Sequence, residues 1–307
     1  SPRLRDGSTI GVIQGNIAQK LGRSDDELGE QLFGHLKMHR RLADQARDSG
    51  HPLAMICWAE TMVPGWLNAD DYGRTFKRAV ASMGIPTLAG SNYTLADQPD
   101  EDRCHNAAYF LNEKGEPQAV YFKRKLVPFG EYIPFTASLP FLKLLRSVTR
   151  DQYLPGEKPS PIHEIGGYKF ALNLCVEDIH PDLAREAALS GADTLMNLTN
   201  DGWFYGTFGP RAHMQAAVWR AIEVRRPLLR VTNTGRTVAV DPLGNITLLV
   251  PQETEGTAVT RLKRITHADT GAIISPVTMS MLLGESGGSL FFLMLLTGAC
   301  LLRSKSA

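Results

Sequence analysis

Leu53-Ala54-Met55-Ile56-Cys57-Trp58 is a run of six apolar residues with no polar alternation. A strand with one face in water alternates apolar and polar side chains, whereas an unbroken run is covered on both faces, as in a parallel sheet flanked by helices. Working outward, residues 9–17 read as a strand and 25–47 as a helix, which Ser24 and Glu27 open with a capping-box pattern. Downstream, 71–83 reads as a helix and 86–93 as a strand, and 107–111 with 118–122 forms a hairpin across Lys114-Gly115. A strand over 168–174 follows, then a short helix over 181–189 with Pro181 at its start and Gly191 just past its end, and a strand over 194–198. A longer helix over 210–226 precedes strands at 228–232, 237–241 and 246–250, the last two joined by the turn Asp241-Pro-Leu-Gly-Asn245. Strands and helices alternating in this way predict a mixed α/β fold. There is no solenoid-length repeat and no low-complexity stretch, so one large domain is expected.

The 307 residues are 43% hydrophobic, enough to fill the core of such a domain. Lys and Arg number 33 against 32 Asp and Glu, a balance that provides no broad positive field for nucleic acid. Four scattered cysteines, Cys57, Cys104, Cys175 and Cys300, make neither a disulfide framework nor a CxxC metal site. Ser1 opens the chain with neither an initiator Met nor a signal segment, and a fragment or processed product is expected.

The tail has a different character. From Ala272 to Leu302 the only charge is Glu285, and Gly287 to Leu302 is a 16-residue uncharged run ending against Arg303 and Lys305. Leu290-Phe-Phe-Leu-Met-Leu-Leu296 leaves no polar stripe for water, as a docked amphipathic helix requires. Sixteen helical residues rise about 24 Å, against a hydrocarbon core of roughly 30 Å. The expected organisation is one large α/β domain over 1–265, a linker over 266–286 and a transmembrane helix over 287–303. Arg303 and Lys305 on the cytoplasmic side then place the domain on the opposite, exported side.

Three residues stand where chemistry is done in α/β folds, at the ends of strands. Cys175 follows Phe170-Ala-Leu-Asn-Leu174 and precedes Val176-Glu177-Asp178, an address that suits a nucleophile, although an isolated cysteine in an apolar strand is commonly an inert core thiol. Glu60 closes the strand over 53–58 in apolar company, which suits a general base; a solvated loop acid or cap is the bland reading. Lys123 lies within Tyr121-Phe-Lys-Arg-Lys-Leu-Val-Pro-Phe-Gly-Glu131, where a basic trio is commonly only solvated.

Together these segments carry a resemblance. Trp58-Ala-Glu60, Lys123-Arg-Lys-Leu126 with Glu131, and Cys175-Val-Glu177 resemble, in that order, the three signature segments of the nitrilase superfamily. More narrowly, Leu126-Val-Pro-Phe-Gly-Glu-Tyr-Ile-Pro134, Asn200-Asp-Gly-Trp-Phe204, Gly209-Pro210 and Arg226-Pro-Leu-Leu-Arg-Val-Thr-Asn-Thr-Gly235 are similar to the apolipoprotein N-acyltransferase family. The resemblance runs from about Ile10 to Ile246.

It implies a four-layer αββα sandwich in which Glu60, Lys123 and Cys175 meet. Cys175 takes an acyl chain from a phospholipid as a thioester, Glu60 shuttles the proton, and Lys123 with a backbone N–H stabilises the oxyanion. Glu131 is implied as the acid that orients lysine and base, and Glu177 as the acid that these acyltransferases need two residues after the nucleophile; surface charge is the bland reading of both. The acceptor implied is the N-terminal amine of a diacylglyceryl-cysteine lipoprotein, at a bacterial inner membrane with the domain in the periplasm, and no cofactor is implied. Trp203 and Phe204, in the aromatic stretch Trp203-Phe-Tyr-Gly-Thr-Phe-Gly209, suit the lining of an acyl-chain groove or a lid, and equally a packing cluster. Val176, Lys125 and Ala59 depart from the family's frequent aromatic, His and Pro, which bears on fine substrate choice. The family's transmembrane bundle ahead of this domain has no counterpart in the chain, as a truncated sequence predicts.

Rival readings stay open. A soluble nitrilase-type amidase shares Glu60, Lys123 and Cys175 but has no use for the tail, and a membrane-assembly accessory protein with idle chemistry has no use for the triad. A Cys-His enzyme built on His180 or His213 lacks its local patterns, His213 being expected to pack or hydrogen-bond on its helix. His35 and His39 have the i,i+4 spacing of metal ligands but no evident third partner.

Overall fold

A computed structural model describes residues 2–20, 22–95, 104–135 and 153–284, which form two six-stranded sheets packed face to face. The first sheet has the order β12 (Gly256–His267), β1 (Pro2–Gln14), β2 (Met55–Trp58), β3 (Thr87–Thr94), β4 (Cys104–Leu111), β5 (Pro117–Phe122). The second has the order β11 (Ile246–Val250), β10 (Thr237–Val240), β9 (Leu228–Thr232), β8 (Thr194–Thr199), β7 (Tyr168–Leu174), β6 (His163–Ile165). At the centre of each sheet three strands run parallel, β1, β2 and β3 in one and β7, β8 and β9 in the other, with antiparallel strands outside them. The unbroken run at 55–58 is thus a central parallel strand, buried on both faces.

Helices α1 (Asp25–Asp48) and α2 (Asp71–Met83) cover the first sheet. Helices α3 (Pro181–Leu189) and α4 (Gly209–Val224), with the short α5 (Met279–Leu283), cover the second, giving the expected αββα layering. The Ser24 hydroxyl accepts from the Glu27 amide at 3.3 Å and the Glu27 carboxylate accepts from the Ser24 amide at 2.9 Å, so both halves of the capping box form. One apolar cluster joins α1 and α2 to both sheets through Leu42, Phe76, Trp58, Leu172 and Leu229. Burying a side chain of the size of Phe76 contributes roughly 2–3 kcal/mol. The second cluster is rich in alanine, with Ala171, Ala184, Ala217 and Ala221, which lets α3 and α4 approach their sheet closely.

The structure adds elements that have no counterpart in the sequence patterns. β12 pairs along β1 over most of its length, yet Arg261, Lys263 and Arg264 disguise it as a polar segment. β1 begins earlier than expected and ends at Gln14, after which Asn16 at φ 49° turns the chain away. After β12 the chain bonds back to it through Ile274 and then packs against the second helical layer from Pro276: the Thr278 hydroxyl donates to the Glu223 carbonyl at 2.6 Å, Arg185 donates to the Met281 carbonyl at 2.6 Å, and Met281 is buried. The expected membrane span over 287–303 lies outside the described residues. Among the described residues no helix is long and apolar enough to cross a membrane.

Candidate active site

Strands of both sheets, parallel and antiparallel, deliver side chains to one polar cluster. Glu60 stands two residues past the end of β2, with Thr61 at φ 53° turning the chain there. This turn lies against Gly90 of β3, where a Cβ atom would stand 2.6 Å from the Glu60 Cα and 2.5 Å from the Thr61 nitrogen. Glycine there is what admits the Glu60 turn.

Lys123 directly follows β5, anchored by its amide to the Asn106 carbonyl at 2.9 Å and by its carbonyl to the Gly156 amide at 2.8 Å. Its ammonium is 1% exposed and donates to Glu131 Oε1 at 2.8 Å and to Glu60 Oε1 at 3.3 Å. Asn106, in the interior of β4, donates through one amide nitrogen to both carboxylates, at 2.7 Å to Glu60 and 3.2 Å to Glu131. The remaining oxygen of Glu60 accepts from the Asn200 amide at 2.8 Å, and that of Glu131 from the Val127 amide at 2.9 Å. Glu60 thus sits among donors rather than in the apolar company expected of it, and its carboxylate is fixed from three sides.

Cys175 begins a 3-10 turn, Cys175–Ile179, at the end of β7 and has φ 50°. A non-glycine residue in this left-handed region stores strain, of order 1–3 kcal/mol. Burial and the negative Glu60 hold its thiol above the ordinary range, while the Lys123 ammonium and the Thr199 hydroxyl pull it the other way. Burial opposes the charge on Lys123, but the carboxylates of Glu60 and Glu131, joined by Cys175 whenever it is a thiolate, overcome this and keep the ammonium charged well beyond its ordinary range. The resting arrangement is a protonated thiol beside a buried cation already shared by two carboxylates. A thiolate there needs a nearby proton acceptor and is then paired with the same cation.

Glu177 is fully buried, against its reading as surface charge. Its carboxylate accepts from the amides of Arg124 at 2.6 Å, Lys125 at 3.0 Å and Leu174 at 2.7 Å, and from the Tyr121 hydroxyl at 2.9 Å. One side chain thereby ties the segment after Lys123 to the residue before Cys175. Burial pushes its carboxyl up, and those donors partly offset the shift. Two ion pairs, Arg124–Glu186 at 2.6 Å and Lys125–Asp182 at 3.2 Å, fasten the same segment to α3.

Trp203 and Phe204 end the 3-10 turn Asp201–Phe204, immediately after Asn200, whose amide holds Glu60. Both are exposed, as are Tyr205 and Phe208, so this stretch is no packing cluster. His213 is bonded away from its own helix, to Asp178 at 2.8 Å and Asp201 at 2.9 Å, and not to the Cys175 thiol. His35 and His39 pack their rings on Trp58, and no group of three metal-binding side chains occurs among the described residues.

Asn106 and Asn200 escaped the sequence reading as site residues. An asparagine directly before the apolar stretch Ala107-Ala-Tyr-Phe-Leu111 was the available signal for the first.

The chain matches the carbon-nitrogen hydrolase family model over residues 9–270. It belongs to the carbon-nitrogen hydrolase family. As such it is an enzyme of the nitrilase superfamily. Among curated relatives, the apolipoprotein N-acyltransferase of Azotobacter vinelandii is 32% identical over 244 residues, covering 79% of this chain and 45% of that protein. The apolipoprotein N-acyltransferase of Pseudomonas aeruginosa is 33% identical over 252 residues, covering 80% of this chain and 46% of that protein. This carbon-nitrogen hydrolase chain therefore spans about half the length of those relatives. Among solved structures, an amidase from Nesterenkonia sp. superposes with a TM-score of 0.60 at 21% identity, covering 84% of this chain and 90% of that one. A variant of that amidase, with a TM-score of 0.60 at 19% identity, carries the acetamide moiety of fluoroacetamide on its active-site cysteine. At such identities the likeness is one of fold.

Proposed function

We propose that this chain is the catalytic part of an N-acyltransferase that moves a fatty acyl chain from a phospholipid to the N-terminal amine of a diacylglyceryl-cysteine lipoprotein. The observation that carries the reading is the shared Glu60–Lys123–Glu131 ion cluster, with the Lys123 charge coupled to the thiol of Cys175. The names of the curated relatives supply the acyl-transfer chemistry, and the exposed aromatics Trp203 and Phe204 suit an acyl chain better than a small amide.

In this reading Cys175 gives its proton to Glu60 and attacks the ester carbonyl, while Lys123 faces the developing oxyanion. Collapse expels the lysophospholipid alkoxide, which takes the proton from Glu60 and leaves a Cys175 thioester. The neutral amine of the acceptor then attacks the thioester carbonyl. Its proton passes through Glu60 to the departing thiolate, and an amide remains. Glu131 orients Lys123, and Glu177 holds the lysine segment and the cysteine turn together. Every step uses side chains alone, with no metal or organic cofactor.

The proposed organisation extends the catalytic domain beyond 265 to include α5 (Met279–Leu283) and follows it with a membrane helix at 287–303, with Arg303 and Lys305 on the cytoplasmic face of a bacterial inner membrane and the domain in the periplasm. Incubating the chain in membranes with labelled phospholipid yields an acyl-protein that neutral hydroxylamine cleaves, and Cys175→Ser abolishes it. A hydroxylamine-sensitive label persisting in Cys175→Ser removes Cys175 as the acylated residue. Water outcompeting the lipoprotein amine as acceptor makes the chain a hydrolase rather than an acyltransferase.

A further inference from the structure

Behind the cysteine turn lies a second ionic group, which the proposed reaction does not use. Arg230, in the middle of β9, is 0% exposed and ranks among the largest fully buried side chains. Its guanidinium donates through one terminal nitrogen to Asp178 and to Asn197 Oδ1, the latter at 2.8 Å, and through the other to Asp201 at 3.2 Å. His213 bridges the same two aspartates, at 2.8 Å and 2.9 Å. Both aspartates are buried, so neither charge is stabilised by water.

Two threads lead from Arg230 to the cysteine. Asn197 of β8 donates its amide to the backbone carbonyl of Cys175 at 3.0 Å. Asp178 is the fourth residue of the 3-10 turn that Cys175 begins. A residue at φ 50° persists only where its surroundings over-determine it, and here the bonds fall on the carbonyl of the strained residue and on the turn beyond it. The Asn197 amide is used at both ends: its oxygen is held by Arg230, which leaves its nitrogen one direction, toward Cys175.

We propose that Arg230 is a positioning residue for the nucleophile: it holds Asn197, which pins the carbonyl of Cys175, and it holds Asp178, which pins the turn after it, so that the aim of the thiol depends on a guanidinium that meets no substrate. The proposal rests on the reading of Cys175 as the nucleophile.

The test is the second-order rate at which iodoacetamide alkylates Cys175 at fixed pH, read by mass spectrometry of the Cys175 peptide in the full chain, with the thermal melt measured alongside. Asn197→Asp keeps an acceptor for Arg230 but removes the donor to the Cys175 carbonyl. The expected result is a melt within a few degrees of wild type and alkylation slower by about tenfold or more. Arg230→Lys keeps the charge but cannot fork to Asn197, Asp178 and Asp201 at once, and the same loss is expected wherever it folds. Asn197→Ser leaves the Arg230 ion pairs in place and covers the case in which the charged variant does not fold. Wild-type alkylation in folded Asn197→Asp or Asn197→Ser overturns the proposal. Failure of both to fold overturns it as well, because Asn197 is then a core element rather than a local pin. Alkylation needs no acyl donor, so the two ideas fail separately: transfer surviving in Cys175→Ser ends the reading of the nucleophile, and unchanged alkylation in the Asn197 variants ends only this one.

Discussion

The two buried ion groups flank the same cysteine and differ in their charge balance. The Glu60–Lys123–Glu131 group sets one cation against two carboxylates, and the Asp178–Arg230–Asp201–His213 group sets two carboxylates against Arg230 and a histidine whose ring nitrogens both point at them. Burial and the neighbouring guanidinium oppose a proton on His213, but Asp178 and Asp201 outweigh them and raise its pKa to about 9. At neutral pH the charges of the second group therefore balance. The first has one carboxylate more than it has cations, so it can take up the proton of the Cys175 thiol while Lys123 stays charged beside the thiolate. The difference teaches where chemistry resides in a molecule with two such groups. A charge-balanced network specifies shape, while one with a carboxylate to spare is poised to move a proton.

The contrast is broken most directly at Lys123. Lys123→Ala leaves Glu60 and Glu131 facing each other with only Asn106 between them, and removes the positive charge from the oxyanion. Formation of the hydroxylamine-sensitive acyl-protein is expected to slow by roughly 100- to 1000-fold, the usual consequence of losing one oxyanion donor. A rate within tenfold of wild type would make this group as structural as the other. Next in size is the clamp between the two regions. Glu177→Gln offers one oxygen and an amide nitrogen where three backbone N–H groups and the Tyr121 hydroxyl now find acceptors. A buried N–H then faces another donor, so destabilisation of about 2–4 kcal/mol is expected by denaturant titration. A variant as stable as wild type would mean that Glu177 is not holding the lysine segment to the cysteine turn.

Much of this was readable from the chain. The unbroken run 53–58 and the largely apolar 168–174 read as buried strands because both sheets are covered on each side, and their burial drives them to the centre. Glu60 and Cys175 could be picked out because each follows such a run, whereas Lys123 follows the half-exposed edge strand β5 and stood out through the family resemblance of its segment. What the sequence hid was partnership across distance. Glu177 looks like a surface acid until Arg124, Lys125 and Leu174 turn their amides toward it, and Arg230 sits in a strand whose pattern gives no hint that Asp178, Asn197 and Asp201 surround it. β12 was missed for a related reason: its lysine and arginines mask the period-2 signal, and only pairing with β1 reveals the strand.

The balance of the second group is open to titration. His213 is held protonated in the fold, so its contribution is complete below the unfolded histidine value near 6.5 and is lost as pH rises through about 9. The difference corresponds to roughly 3 kcal/mol, removed between about pH 6.5 and 9. His35 and His39 behave oppositely: burial lowers them to about 4 and about 3, so the stability they contribute is present above pH 6.5 and lost as pH falls toward those values. Melting temperature followed from pH 4 to 10 should show both limbs, and His213→Ala should flatten the alkaline one alone. An unchanged alkaline limb in that variant would mean that the quartet does not depend on a charged His213.

The smallest effect is expected where no buried charge is involved. Gly206, in the middle of the exposed aromatic stretch, donates its amide to Glu253 Oε1 at 2.9 Å, and Glu253 is itself fixed by its backbone to Thr234 at 2.8 Å and Asn16 at 3.1 Å. Glu253→Ala removes this exposed latch, and Glu253→Gln keeps an acceptor for it. A solvent-exposed hydrogen bond contributes on the order of 1 kcal/mol or less, so the melt should move by no more than a few degrees. If Trp203 and Phe204 receive the acyl chain, loosening the stretch should raise the KM for phospholipid a few-fold in Glu253→Ala, with Glu253→Gln near wild type. The alkylation rate of Cys175 should stay unchanged in both, because the latch touches neither ion group. A slower alkylation in Glu253→Ala would show that the aromatic stretch reaches the cysteine, and the separation between ionic groups that set reactivity and a surface that selects substrate would no longer hold.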